Sequence, residues 1–476
     1  MIEGKVNAAF VGDGESTNVH NQRTGRDDLS VEKSQRHQHN TKFSVCFYCA
    51  TSVTTLVVAL VVFVPIYVIF IEPRLDKDWR EPVSAAEAVK DSVWGYVEVR
   101  PGAHMFWWLY FAKPASNHIE KPFFIWIQGG PSESGTGIGN MLEMGPYDEN
   151  LIKRQTSWVH YASILFTDQP VGTGYSYVDK PSLMTNSTDQ MVRDLFVLVQ
   201  RILTTYPQFQ TVPLYIFGES YGGKIAPLLA KLIHQEVLAN RMKCNLVEIV
   251  LGGPAVHLLD IVSTYGNFLY SVSLMDTNER DHYNNVVFKQ FESSFLANPA
   301  NSSQLLTSIF SQFPKDVDTY NFLTWNKRKK RAKQLDELMN GVMKRELSVI
   351  PSHVSWKEYD TDVYSTERPN MAVPIANTVD FILNSTNINV TVYVGQLDIV
   401  VNSLGSEKWL HRLTWPGIEN FFSSNRTRLS AGPNPEGFVK TADKFSFYWI
   451  LNAGHEVPAD NSYASELMIR HILNLL

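Results

Sequence analysis

The stretch from Leu214 to Lys224, LYIFGESYGGK, constrains this chain more than any other. Leu214, Tyr215, Ile216 and Phe217 form a short apolar run that predicts a buried strand. From Lys224 onward the apolar residues fall at helical spacing, with Pro227 near the start, where proline is tolerated. Between strand and helix lies Gly-Glu-Ser-Tyr-Gly, which fits the G-x-S-x-G nucleophile elbow. The elbow needs glycine because its turn is too sharp for a Cβ on both sides, and it exposes a serine hydroxyl. Ser220 is therefore a candidate nucleophile. An elbow of this kind belongs to an open α/β sheet, whose sites lie beyond the carboxyl ends of its strands.

Other strand ends repeat the plan. Phe123 to Ile127 is an apolar strand that ends in Gln128-Gly129-Gly130-Pro131, a loop whose backbone N–H groups can face a developing oxyanion. Gly135-x-Gly137-x-Gly139 has the wrong final spacing for a dinucleotide fingerprint, and no clear helix is expected after it. Ile164 to Phe166 is a further strand, with Asp168, Pro170, Gly172 and Gly174 beyond it. A serine nucleophile needs a base, and the base needs an orienting acid. In α/β-hydrolases the acid and then the histidine follow the serine in the chain. NVTVYVGQLDIVV supplies Asp398 after a strand, and FSFYWILNAGHEVP supplies His455 after another. Asp398 could otherwise serve as a turn or capping residue. Upstream, WGYVEVRPGAHMFWWLYFA predicts an aromatic hairpin broken at Pro101-Gly102.

Composition narrows the remaining choices. The chain has 476 residues, 44% of them hydrophobic, enough for a large core. A net charge of −6 argues against a nucleic-acid partner. Its three cysteines, Cys46, Cys49 and Cys244, offer no intrachain disulfide framework beyond position 50. Residues 1–42 are polar and expected to be a disordered cytosolic tail. Residues 43–71 carry no charge, and a run of 29 exceeds the roughly 20 needed to span a bilayer. They predict a single transmembrane helix, followed by a linker over 72–90. Five glycosylation sequons, at Asn186, Asn301, Asn384, Asn389 and Asn425, all follow that segment. Their placement favours a single-pass membrane protein with a luminal or extracellular C-terminal part, in the secretory or endolysosomal pathway.

Taken in order, WIQGGP, DQPVGTGYSY, GESYGGK, GQLDIVV and AGHEVPAD resemble the serine carboxypeptidase family of α/β-hydrolases over roughly residues 90–476. The resemblance implies an α/β-hydrolase domain over 91–476, with a central, mostly parallel sheet and a helical cap inserted at about 260–370. It implies Ser220 as nucleophile, His455 as general base and Asp398 as its orienter, with the N–H groups of Gly130 and Tyr221 as the oxyanion hole. It places Gln128, Gly129, Glu143 and Glu219, with Trp126 behind, at the terminal carboxylate of a peptide or protein substrate. The implied activity is removal of C-terminal residues through an acyl-enzyme, with no cofactor and no metal. Two neighbouring carboxyls resist double ionisation, so the activity is expected to favour acidic pH. The alternatives are a membrane-anchored acyltransferase or esterase, or a weakly catalytic binding protein on the same scaffold. This sequence departs from the family pattern at three places. Gln128 stands where asparagine is usual. Pro131-Ser-Glu-Ser-Gly135 stands where the family has P-G-x-S-S, which puts Glu133 near an anion site. LGGPAVHLLD, residues 251–260, replaces a Gly-Asp or Gly-Asn stretch followed by an aromatic.

Overall fold

The computed structural model describes residues 81–113, 120–324 and 327–476. The predicted membrane segment 43–71, the tail before it and residues 72–80 of the linker lie outside the described residues, whereas Ala85–Val89, at the end of the expected linker, forms a short helix with Ala85, Ala88 and Val89 buried. Among those described, no helix is long and apolar enough to cross a membrane.

The chain enters its sheet through the expected hairpin. β1 (Ser92–Arg100) and β2 (Ala103–Tyr110) pair antiparallel, with Trp94 opposite Trp108 and the turn at Pro101-Gly102. The apolar runs then become β3 (Phe123–Ile127), β4 (Ser163–Thr167), β6 (Pro213–Glu219), β8 (Asn389–Gly395) and β11 (Phe445–Ile450). Less apparent from sequence are β5 (Tyr177–Val178), β7 (Asn245–Gly252), β9 (Thr427–Leu429) and β10 (Gly437–Ala442). Together they form an 11-stranded sheet in the order β1-β2-β4-β3-β6-β7-β8-β11-β10-β9, with β5 on β2. The six strands from β4 to β11 run parallel, and both margins are antiparallel. The parallel strands read as unbroken apolar runs because both faces are covered.

Side chains alternate between those faces. Ile125 and Ile127 join one core with Ile216, Ile225, Leu229 and Val392, whereas Phe124 and Trp126 join another with Phe217, Tyr393 and Leu467. Each such side chain, fully buried, stabilises the fold by about 1.5–3 kcal/mol against exposure. Helices α1 (Thr188–Thr205), α2 (Gly222–Leu238) and α3 (Ala376–Ser385) cover the first face, and α4 (Ser462–Ile472) covers the second. Segment 260–370 consists of short helices, several of them gathered round a third apolar cluster that includes Tyr265, Phe291, Ile309 and Phe313.

One expectation fails here. The glycine-rich run after β3 carries no sequence signal for a helix, yet Gly135–Met144 winds into a π-helix. Its first turn is capped by Ser134, whose Oγ accepts from Gly137 N at 3.0 Å. Glycine at 139 is required because an added Cβ would fall 2.3 Å from Trp126 Nε1. Tertiary fit, not local propensity, selects the helix.

Candidate active site

β6 ends at Glu219, and the next residue turns sharply. Ser220 has φ 55°, in the left-handed region that a residue with a Cβ seldom adopts. The strain is held by backbone bonds. Ser220 N donates to Gly252 O at 2.8 Å, and Ser220 O accepts from Gly223 N at 3.1 Å and Ala255 N at 3.0 Å. α2 then starts at Gly222, directly behind the hydroxyl.

β8 and β11 are parallel neighbours, with Gly395 opposite Ile450, so the loops that follow them meet. They bring Asp398 Oδ2 to 2.6 Å from His455 Nδ1, with both side chains buried. Asp398 Oδ1 is occupied by Val401 N at 2.9 Å, which fixes the carboxylate plane. His455 is fixed from the other side. Its N–H donates to Tyr320 O at 2.6 Å, and its ring meets the Tyr320 ring edge-on with centroids 4.7 Å apart. Burial works against the imidazolium, but the charge and hydrogen bond of Asp398, with help from Glu133 and Glu456, raise the histidine above its ordinary pKa. The turn 252–255 joins this pair to the elbow. Gly252 and Ala255 hold Ser220, while a Cβ on Gly253, at φ +44°, would lie 3.2 Å from His455 Nδ1.

Ser220, Gly130 and Tyr221 line one cavity of about 790 Å³. Gly130 sits at φ 108°, and neither its N–H nor that of Tyr221 donates to a backbone carbonyl among the described residues. Two amides so placed can stabilise an oxyanion.

The residues assigned to the substrate carboxylate also come together. Gln128 Nε2 donates to Glu143 at 3.1 Å and to Glu219 at 3.0 Å, and its Oε1 accepts from Trp126 Nε1 at 2.6 Å. Glu143 is delivered by the unforeseen π-helix. Gly129 O accepts from Glu133 N at 3.2 Å and closes the loop. Burial, followed by the charge of Glu456, pushes Glu143 up to about 8. Burial and the adjacent Glu143 push Glu219 well above the usual carboxyl range. The pair therefore holds protons that isolated glutamates would lose.

Asp168, seen in sequence as a loop aspartate beyond β4, is a buried scaffold. It accepts from Ser134 Oγ at 2.6 Å, Thr136 N at 3.0 Å, Thr136 Oγ1 at 2.8 Å and Tyr175 N at 2.8 Å. These bonds fix the loop that departs from the family pattern. Its Glu133 faces the cavity, buried, and accepts from Tyr320 Oη at 3.2 Å. Sequence reasoning missed Tyr320, which lies in an aperiodic stretch with no motif of its own.

Serine, aspartate and histidine arriving in that chain order from β6, β8 and β11 is the arrangement of an α/β-hydrolase. Residues 82–475 match the family model for serine carboxypeptidases, and the chain belongs to that family. It is a serine-type carboxypeptidase: a hydrolase that removes C-terminal residues from peptides through an acyl-enzyme and is favoured at acidic pH. The retinoid-inducible serine carboxypeptidase of Mus musculus is 35% identical over 424 residues, covering 83% of this chain and 92% of the relative. Serine carboxypeptidase-like 51 of Arabidopsis thaliana is 35% identical over 421 residues, covering 80% and 91% respectively. Among solved structures, the prohormone-processing carboxypeptidase Kex1(delta)p of Saccharomyces cerevisiae superposes with a TM-score of 0.71 at 19% identity, covering 80% of this chain and 91% of that one. At that identity the likeness concerns the fold.

Proposed function

We propose that Ser220, His455 and Asp398 carry the hydrolysis and that Gln128, Glu143 and Glu219 select a free C-terminus. His455 takes the Ser220 proton as the hydroxyl oxygen attacks the last peptide carbonyl, and Asp398 holds the imidazole in the required tautomer. The Gly130 and Tyr221 amides receive the oxyanion. His455 then gives its proton to the departing amine, and water releases the acyl group from Ser220 by the reverse path. The departing residue's carboxylate accepts a hydrogen bond from the proton held by the glutamate pair, which the Gln128 amide keeps in place by donating to both carboxyls. The observation that carries this reading is the Gln128 amide bridging two buried carboxyls, one of which immediately precedes Ser220. Labelling with a fluorophosphonate, together with cleavage of a peptide acid in preference to its amide at low pH, tests it. Labelling lost in Ser220→Ala supports the assignment; labelling retained there overturns it.

The reading includes an anchor: residues 43–71 span the bilayer, 1–42 face the cytosol and the hydrolase domain is luminal or extracellular. All five sequon asparagines are exposed, as glycan attachment requires. An N-glycosidase should increase the mobility of membrane-expressed protein, and protease added to sealed microsomes should spare the hydrolase domain. Unshifted mobility with cytosolic digestion would reverse the topology.

A further inference from the structure

The described lining of the cavity at Ser220 carries charge of one sign. Among its described lining residues are four acids, Glu133, Asp316, Asp318 and Glu358, and no lysine, arginine or histidine. Asp318 is held in place by Tyr320 N at 3.0 Å and Thr324 Oγ1 at 3.3 Å. Glu133 is the best located of the four. It lies three residues after Gly130, and the Tyr320 phenol that it binds at 3.2 Å belongs to the ring packed on His455. It is also within electrostatic reach of Glu143 and Glu219. His455 serves the departing amine, and the glutamate pair serves the departing carboxylate. A side chain near all three lies beside the residue being released.

We infer that Glu133 is a specificity-determining residue that selects substrates whose C-terminal residue carries a cationic side chain, lysine or arginine. The inference rests on the proposed carboxypeptidase reading of the same site. Family membership gives no reason to expect a carboxylate at this loop position, because it occupies the variable place in the family's P-G-x-S-S. Binding an ammonium or guanidinium group there leaves the substrate's own carboxylate to the protonated pair, so one site meets both charges of a C-terminal arginine. A C-terminal glutamate would instead bring a second anion toward Glu133 and Asp318. Charge arrangement of this kind discriminates through repulsion as well as attraction.

The test uses the full chain purified in detergent, with matched peptides ending in Arg, Leu and Glu, at low ionic strength. For the wild type, kcat/KM should fall in the order Arg, Leu, Glu, with Arg exceeding Glu by on the order of tenfold or more. Glu133→Gln should lower that ratio by on the order of tenfold, and Glu133→Lys should reverse it. Because either variant could lose its fold, inhibition of the wild type by free amino acids gives an independent measure, with arginine binding more tightly than norleucine and norleucine more tightly than glutamate. Equal cleavage of all three peptides, with equal inhibition, would overturn the specificity and leave the carboxypeptidase reading intact. A wild type that labels with fluorophosphonate but cleaves none of the peptides would remove both.

Discussion

Asp398 Oδ2 lies 2.6 Å from His455 Nδ1, and the two side chains are 0% and 1% exposed. A bond this buried sets both the tautomer and the basicity of the imidazole, because no water competes for Nδ1. Asp398→Asn keeps the shape and removes the charge. Its amide can donate to Nδ1 and so leave the proton on the nitrogen that should face Ser220. The expected loss in kcat is about 10³–10⁴-fold, with a smaller change in KM. The histidine should also titrate lower, since the charge and hydrogen bond that raise it are gone. A kcat within tenfold of wild type would exclude Asp398 as the orienting acid.

Ser220 predicts an unusual pair of stabilities. At φ 55° its Cβ is strained, and the strain serves exposure of the hydroxyl. Ser220→Ala keeps the Cβ and should stay near wild type in melting temperature. Ser220→Gly removes the strain and should be the more stable of the two by about 1 kcal/mol, although both are inactive. Thermal unfolding of the two variants side by side provides the comparison, and equal or lower stability of the glycine variant would contradict it.

The parts legible in the sequence were those with a local signature. β3, β4, β6, β8 and β11 could be read because strands buried on both faces are continuous apolar runs. Ser220, Asp398 and His455 could be read because each follows such a run in a fixed order. The π-helix at Gly135–Met144 could not, since half of its ten residues are poor helix formers: three glycines, a threonine and an asparagine. It is held from outside, in part by Arg154 Nη1, which donates to Asn140 O and Gly145 O, each at 3.2 Å. The Glu133–Tyr320 contact joins residues 187 apart, and no periodicity encodes such a pairing. β5, with two residues, and β9, with three, were likewise too short to show a period.

Gly253 offers a test of how tightly the site is built. It lies in the stretch that departs from the family pattern, at φ +44°, with a notional Cβ 3.2 Å from His455 Nδ1 and 3.3 Å from Asp398 Oδ2. Gly253→Ala would strain the backbone by about 1–2 kcal/mol and press a methyl against the bond between base and acid. Small displacements of catalytic groups are expensive, so kcat should fall on the order of tenfold or more. Gly432→Ala is the control, because nothing lies within 4 Å of its notional Cβ. Unchanged kcat in Gly253→Ala would mean that the loop yields without moving His455.

The carboxyl pair gives the activity its pH dependence and the fold a matching one. Glu143 is raised to about 8, chiefly by burial, and Glu219 is raised well above the usual carboxyl range by burial and then by the charge of Glu143. Below that value Glu143 holds a proton that it can donate to a substrate carboxylate. As the pH climbs through about 8 it gains a charge and repels that carboxylate. KM for a peptide acid should therefore rise through this range, whereas KM for the matching amide should change little. Stability follows by linkage. A folded-state pKa above the unfolded one means that the contribution is fully present below the unfolded value, near 4.5 for Glu143, and is lost as pH rises through the folded value. Between those limits the unfolded chain ionises and the folded chain does not, so stability declines by about 1.4 kcal/mol per pH unit for each such group. Glu143→Gln cannot ionise and should escape its share of the decline. Its stability relative to wild type should thus improve steadily from pH 4.5 to 8, by a few kcal/mol in total, when measured by denaturant unfolding. The same variant should flatten the KM profile of the peptide acid. A constant stability difference across that range, or equal pH dependence of acid and amide in the wild type, would show that the pair does not share its protons in this way.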